Sequence, residues 1–171
     1  VILGISIISY LFDQILDYVN LKAQRKDIPA EVEGFYNKEK YQKSLNYQKD
    51  QTRFSFLTAA FSFALSLAML VAGGFGWIDS VLRPFFSSEI TLALVFFGVI
   101  MIASDILTIP FQWYGTFVIE EKYGFNKTTV KTFITDKLKG YLLGALIGGA
   151  LLSVLIWLVN TIGSSFWIWF G

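Results

Sequence analysis

A carboxylate in the middle of an apolar run is the feature of this sequence best placed to do chemistry. Asp105 interrupts EITLALVFFGVIMIASDILTIPFQWYGTFVIE, and Thr108, Pro110 and Gln112 follow it within two helical turns. An ionised group in hydrocarbon costs a few kcal/mol unless it faces water or protein, so such residues mark aqueous cavities, relays or binding sites. The competing reading is an Asp that is paired or protonated and steadies a kink, because Pro110 leaves the Ile106 carbonyl without its helical donor. Glu120 and Glu121 close the same run. Acids in a last helical turn oppose the dipole, so they need partners or a task, and the nearest partners are the lysines of the following loop. Asp13 and Asp17 share a face one turn apart and either line the same space as Asp105 or are solvated at a helix end.

The residue types that are missing narrow the chemistry further. The 171 residues contain no Cys and no His, which removes disulfides, thiol nucleophiles, His bases and the zinc sites built from those ligands. No catalytic, metal-binding or cofactor-binding residue is therefore assigned within this segment. Charged residues make up 16% of the chain, against about 25% in a soluble domain, while 54% are hydrophobic and the mean hydropathy is +0.56. A net charge of +1 gives no electrostatic footprint for nucleic acid. The expected partner is the lipid bilayer.

The elements that must position these residues follow from the thickness of that bilayer. A core of about 30 Å needs about 20 apolar residues per helix, because backbone groups cannot be left unpaired in lipid. Four stretches qualify: 1–21, 54–78, 90–119 and 140–162, with a fifth beginning about residue 164 in SSFWIWFG. The expectation is an all-α fold, a polytopic transmembrane bundle forming a single membrane domain over 1–171. All but Arg83 of the 14 Lys and Arg lie in 22–53 or 122–139, segments separated by an even number of crossings. The positive-inside rule makes both of them cytoplasmic. Each carries an amphipathic helix: KEKYQKSLNYQKDQTRF after a short element that begins at Pro29, and an apolar face of Val130, Phe133, Ile134, Leu138 and Tyr141. Trp77, Trp167 and Trp169 then fall at the outer interface.

Two stripes of small residues predict close helix packing. Ala60, Ala64, Ala68, Ala72 and Gly76 recur every fourth residue in the second span, as do Gly140, Gly144 and Gly148 in the fourth, so these two helices are expected to touch. After Glu121, Gly124 fits the left-handed position that ends a helix, Phe125 the apolar residue that packs back, and Asn126 the cap of the next helix.

The blocks YQKSLNYQKDQTRFSF, EITLALVFFGVIMIASDILTIPFQWYGTFVIEEKYGFNKTT and FITDKLKG resemble the amino-terminal membrane region of the type I CAAX prenyl proteases, integral-membrane zinc endopeptidases. The resemblance runs from about Leu11 to the end of the chain. It implies a ring of helices around a water-filled chamber, peptide substrates, prenylated or otherwise membrane-associated, and a zinc centre supplied by an HExxH helix and a later Glu. In such a motif two His bind the metal and the Glu between them activates its water. With no His here, that motif is expected downstream, in a catalytic portion of the same protein, and the segment alone is expected to be inactive. A chain that opens on VILGISIISYLF without Met fits a piece of a longer protein. The resemblance implies a structural or chamber-closing role for Glu120, Glu121, Gly124, Phe125 and Asn126, and makes Asp105 and Gln112 candidates to line the chamber. It places the protein in a bacterial inner membrane or an endoplasmic reticulum membrane. The alternative class is a non-catalytic membrane scaffold or transporter-like module.

Overall fold

The computed structural model describes residues 1–23 and 37–163, and among them every regular element is helical. The helices are α1 (Ile2–Ala23), α2 (Lys38–Val71), α3 (Gly74–Leu82), α4 (Glu89–Tyr114), α5 (Val130–Leu143) and α6 (Gly149–Ile162). The Pro29 element, Trp167, Trp169 and the start of the fifth span lie outside the described residues. Among the described residues, four stretches are long and apolar enough to cross a membrane: Ile2–Ala23, Lys38–Val71, Glu89–Glu120 and Val130–Ile162.

Three boundaries differ from expectation, each for a local reason. The basic helix before the second span is continuous with that span, because no Gly or Pro falls between Lys38 and Val71. The Asn37 side chain caps it by accepting from the amides of Glu39 and Lys40. The same helix stops at Ala72, short of the expected Ile78, where Gly73 takes φ +70°, a conformation that costs a residue with Cβ about 1 kcal/mol or more; α3 starts anew beyond it. The fourth span likewise begins at Val130, with no break before the apolar run, and its cap is Thr129, not Asn126. Asn126 instead donates to the Glu121 carboxylate at 3.0 Å.

Wide i→i+5 turns occupy Gly115–Glu120, which continues α4, and Gly144–Gly148, which joins α5 to α6. The second alters the glycine stripe, because a widened turn no longer stacks residues four apart. A Cβ on Gly144 would meet Met101 Sδ of α4 at 3.8 Å, and one on Gly149 would meet Leu94 at 4.0 Å. Gly140 and Gly148 have no such neighbour within 4 Å. The neighbour of the stripe at Gly144 and Gly149 is therefore α4, with a spacing of five residues in place of four.

Packing divides the chain, expected as one domain, into two compact units: Val1–Ala72 with Thr108–Lys127, and Gly73–Leu107 with Thr128 onward. Helix α4 supplies its first part to one and its end to the other. Among the described residues only Leu45, Leu92, Ile119 and Tyr123 are buried, and most large apolar side chains face outward. A protein dissolved in lipid has no reason to hide them.

Candidate functional site

In the first unit, the end of α4 lies along α2, and the turn after it is fastened there. Phe125 N–H donates to the Glu120 carbonyl and Gly124 N–H to that of Glu121, both at 2.9 Å, with Gly124 at φ +64°. This paired closure is the Schellman geometry that the Gly-Phe sequence predicts. The chain thus turns sharply and carries Tyr123 and Phe125 back onto α2. Tyr47 meets both rings edge-on, with centroids 5.6 and 4.9 Å away, and the Lys43 ammonium lies over Phe125. Asp50 completes the clamp, accepting from Lys122 Nζ at 2.6 Å and the Tyr123 hydroxyl at 2.7 Å. These hydrogen bonds to Asp50 hold both the Lys122 ammonium and the Tyr123 phenol above their ordinary pKa values. The blocks around KSLNYQKD and EEKYGFN, more than seventy residues apart in sequence, are thus one local structure.

Beside this clamp, α2 and the end of α4 flank an open cavity of about 420 Å³. Its α2 wall carries Gln51, Ser55, Thr58 and Ser62, and its α4 wall Gln112 and Glu120. The four α2 residues are spaced four, three and four apart, which at 100° per residue keeps them within about 60° of one another. Ala60 and Ala64 fall on the opposite side of the same helix, and Ala60, Ala64 and Ala68 are exposed. Sequence reading followed the alanines and missed the hydroxyl face behind them, although its spacing was equally regular. A third side of α2 receives α1, where Tyr10 stacks on Phe63 at 4.2 Å. Gln112 also donates to the Thr108 hydroxyl at 3.0 Å, so its amide is oriented along the cavity wall. Glu121 points elsewhere, to Asn126.

Asp105 belongs to the second unit. Its two carboxylate oxygens accept from Lys137 Nζ at 2.7 and 2.8 Å, and one also accepts from the Tyr141 hydroxyl. The side chains of Lys137 and Asp105 are only 16% and 23% exposed. Lys137 and Tyr141 are one turn apart on α5, so a single helix face answers the carboxylate. By charge pattern alone Lys137 belongs to a basic loop; in the fold it lies on α5. Near the α3–α4 connection of this unit, Arg83 bridges Asp79 at 3.0 Å and Glu89 at 3.5 Å, and the hydrogen bond to Asp79 raises its pKa.

The chemistry available is that of binding and positioning. The Ser55 and Thr58 hydroxyls donate to the Thr52 and Phe54 carbonyls of their own helix, at 2.8 and 3.2 Å, so toward the cavity they offer acceptor lone pairs, beside the Gln51 and Gln112 amides and the Glu120 carboxyl group. A zinc ion does not fit these residues, since the sequence has no His or Cys and no cluster of three acidic ligands occurs among the described residues.

Comparison with known proteins gives the same picture across nearly the whole chain. A family model for the CAAX prenyl protease N-terminal region, with five membrane helices, matches residues 17–171. The probable CAAX prenyl protease 1 of Schizosaccharomyces pombe is 34% identical over 97% of this chain and 38% of its own length. CAAX prenyl protease 1 of Saccharomyces cerevisiae is 30% identical over 99% of this chain and 40% of its own length. The crystal structure of S. mikatae Ste24p matches with a TM-score of 0.82 at 28% identity, over 95% of this chain and 40% of that one. The chain thus spans about two-fifths of the length of these relatives. Its helices, its clamp and its sequence blocks run through the region that the model describes: the chain belongs to the CAAX prenyl protease N-terminal family.

Proposed function

We propose that this chain is the membrane-embedded amino-terminal portion of a CAAX-protease-like zinc metalloendopeptidase. Its α2 and α4 form part of the wall of a chamber in which prenylated or other membrane-associated peptides are cut. The observation that carries this reading is the face of Gln51, Ser55, Thr58 and Ser62, turned to a cavity shared with Gln112 and Glu120. A span that met only lipid would gain nothing from four polar side chains in register. Uncharged donors and acceptors along a wall hold an extended peptide without fixing its sequence. The Asp50 clamp positions that wall by fixing the end of α4 against α2.

Zinc and the base that activates its water are supplied by a catalytic portion of the same protein, because this chain has no His. The basic segments that flank the spans, 22–53 and 122–129, lie on the cytoplasmic side of a bacterial inner membrane or the endoplasmic reticulum membrane. The test is cleavage of a farnesylated CAAX peptide by the whole protein. Thr58→Trp, which fills the cavity, should lower kcat/KM by about tenfold or more with zinc content unchanged. An unaltered kcat/KM would contradict the role of this face. A whole protein with no chelator-sensitive cleavage would favour a non-catalytic scaffold.

A further inference from the structure

A second groove in the first unit, of about 330 Å³, lies on another side of α2 and is graded from charged to apolar along the helix axis. Its charged end holds Asp50, Arg53 and Lys122; its apolar end holds Leu57, Tyr114 and Val118. Arg53 and Leu57 are one turn apart on α2, and Tyr114, Val118 and Lys122 succeed one another at one-turn spacing on the α4 side. Both walls therefore pass from cation to apolar surface in the same direction. Asp50 is engaged by Lys122 at 2.6 Å, which leaves the charged end with one net positive charge contributed by Arg53. Leu57 and Val118 are 58% and 43% exposed, so the apolar end is open. Arg53 immediately precedes the apolar half of α2, and Lys122 lies just past the end of the Glu89–Glu120 span. Those are the levels at which a bilayer presents its headgroups.

We infer that this groove binds one anionic glycerophospholipid, its phosphate against Arg53 and Lys122 and the start of an acyl chain against Leu57 and Val118. The net charge selects an anionic over a zwitterionic headgroup. The apolar half, aligned beneath the cations, selects a lipid over a free anion. A bound lipid would reinforce the Asp50 clamp from outside by adding an acceptor to Lys122. The inference requires only that the chain spans a membrane, so it stands or falls separately from the chamber.

The experiment is native mass spectrometry of the purified protein with phosphatidylglycerol or phosphatidylcholine of identical chains. One cation at a membrane surface is worth about a fivefold difference in binding. Retention of phosphatidylglycerol should therefore exceed that of phosphatidylcholine by about fivefold, and Arg53→Gln should abolish the preference. Leu57→Trp should weaken retention of both lipids, and millimolar inorganic phosphate should not compete. Equal retention of the two lipids, a preference that survives Arg53→Gln, or displacement by phosphate would overturn the inference. In the unaltered protein, phosphatidylglycerol with a photoactivatable acyl chain should label peptides that contain Leu57 and Val118. Labelling spread evenly over all helices would also overturn it.

Discussion

Replacing Asp105 by Leu measures what the carboxylate does for the second unit. In a bundle that met only lipid and itself, removing a lone acid would stabilise the fold or leave it unchanged. The structure reverses that expectation, because Lys137 and Tyr141 are both aimed at it. Breaking a fully buried pair by removing one partner costs about 3–5 kcal/mol, whereas an exposed pair contributes less than about 1 kcal/mol. With side chains 16% and 23% exposed, this pair lies toward the buried end, at about 2–3 kcal/mol. The Tyr141 hydroxyl loses an acceptor at about 1 kcal/mol more. The double substitution Asp105→Leu with Lys137→Met should recover most of the loss, since an apolar pair of similar volume is neutral or better. Reversible unfolding in mixed dodecylmaltoside and dodecylsulfate micelles, followed by circular dichroism, gives the four free energies of the cycle. A coupling of about 2 kcal/mol or more is expected. Single variants as stable as the unaltered protein, with no coupling, would refute the reasoning and mean that the carboxylate is fully hydrated.

Gly124→Ala should destabilise by about 1 kcal/mol or more from its φ of +64° alone, since the nearest atom to the new Cβ is Lys43 Nζ at an ordinary 3.6 Å; chemical denaturation of the variant checks this. Gly144→Leu should cost about 1–3 kcal/mol by pushing on Met101, while Gly144→Ala, whose Cβ lies 3.8 Å from Met101 Sδ, should be tolerated. Leu143→Ala, at an exposed position, should change little, and the same chemical denaturation compares all three. Asp50→Asn should raise hydrogen exchange of the amides of residues 123–126 with little change in global stability, because Lys122 is largely exposed and such pairs contribute under about 1 kcal/mol. The isolated 171-residue chain should show no chelator-sensitive peptide cleavage, and finding such activity would remove the case for a separate zinc-bearing portion.

The four spans were legible because length and hydropathy are local properties that lipid enforces strictly. The Schellman turn was legible for the same reason, since Gly124 and Phe125 sit at fixed offsets from a helix end. Where the sequence misled, two local signals competed. The alanine repeat ran on through Gly73 and Gly74 and masked the break that those glycines make. Asn126 looked like a cap, yet Thr129 holds the position next to the first helical residue and Asn126 turned to Glu121. Pairings across distance were not legible at all. Asp105 and Lys137 are 32 residues apart, and Asp50 and Tyr123 are 73 apart; only packing of separate helices brings such partners together. The polar face of α2 was half legible, in that the period shows a stripe but not what the stripe faces.

Whether that face meets water is the central question for the chamber, and because these 171 residues contain no Cys, an introduced thiol is read out unambiguously by peptide mapping of this segment. Single Cys substitutions at Gln51, Ser55, Thr58 and Ser62, and at Leu57, Ala60, Ala64 and Ala68, are treated in the membrane-reconstituted whole protein with a charged, membrane-impermeant thiol reagent. The account predicts rapid labelling of the first four, slow labelling of the second four, and the same contrast for Gln112 against Val118 on the α4 side. Protection of Ser55, Thr58 and Ser62 together, with labelling no faster than at the alanines, would contradict a water-filled chamber bounded by α2.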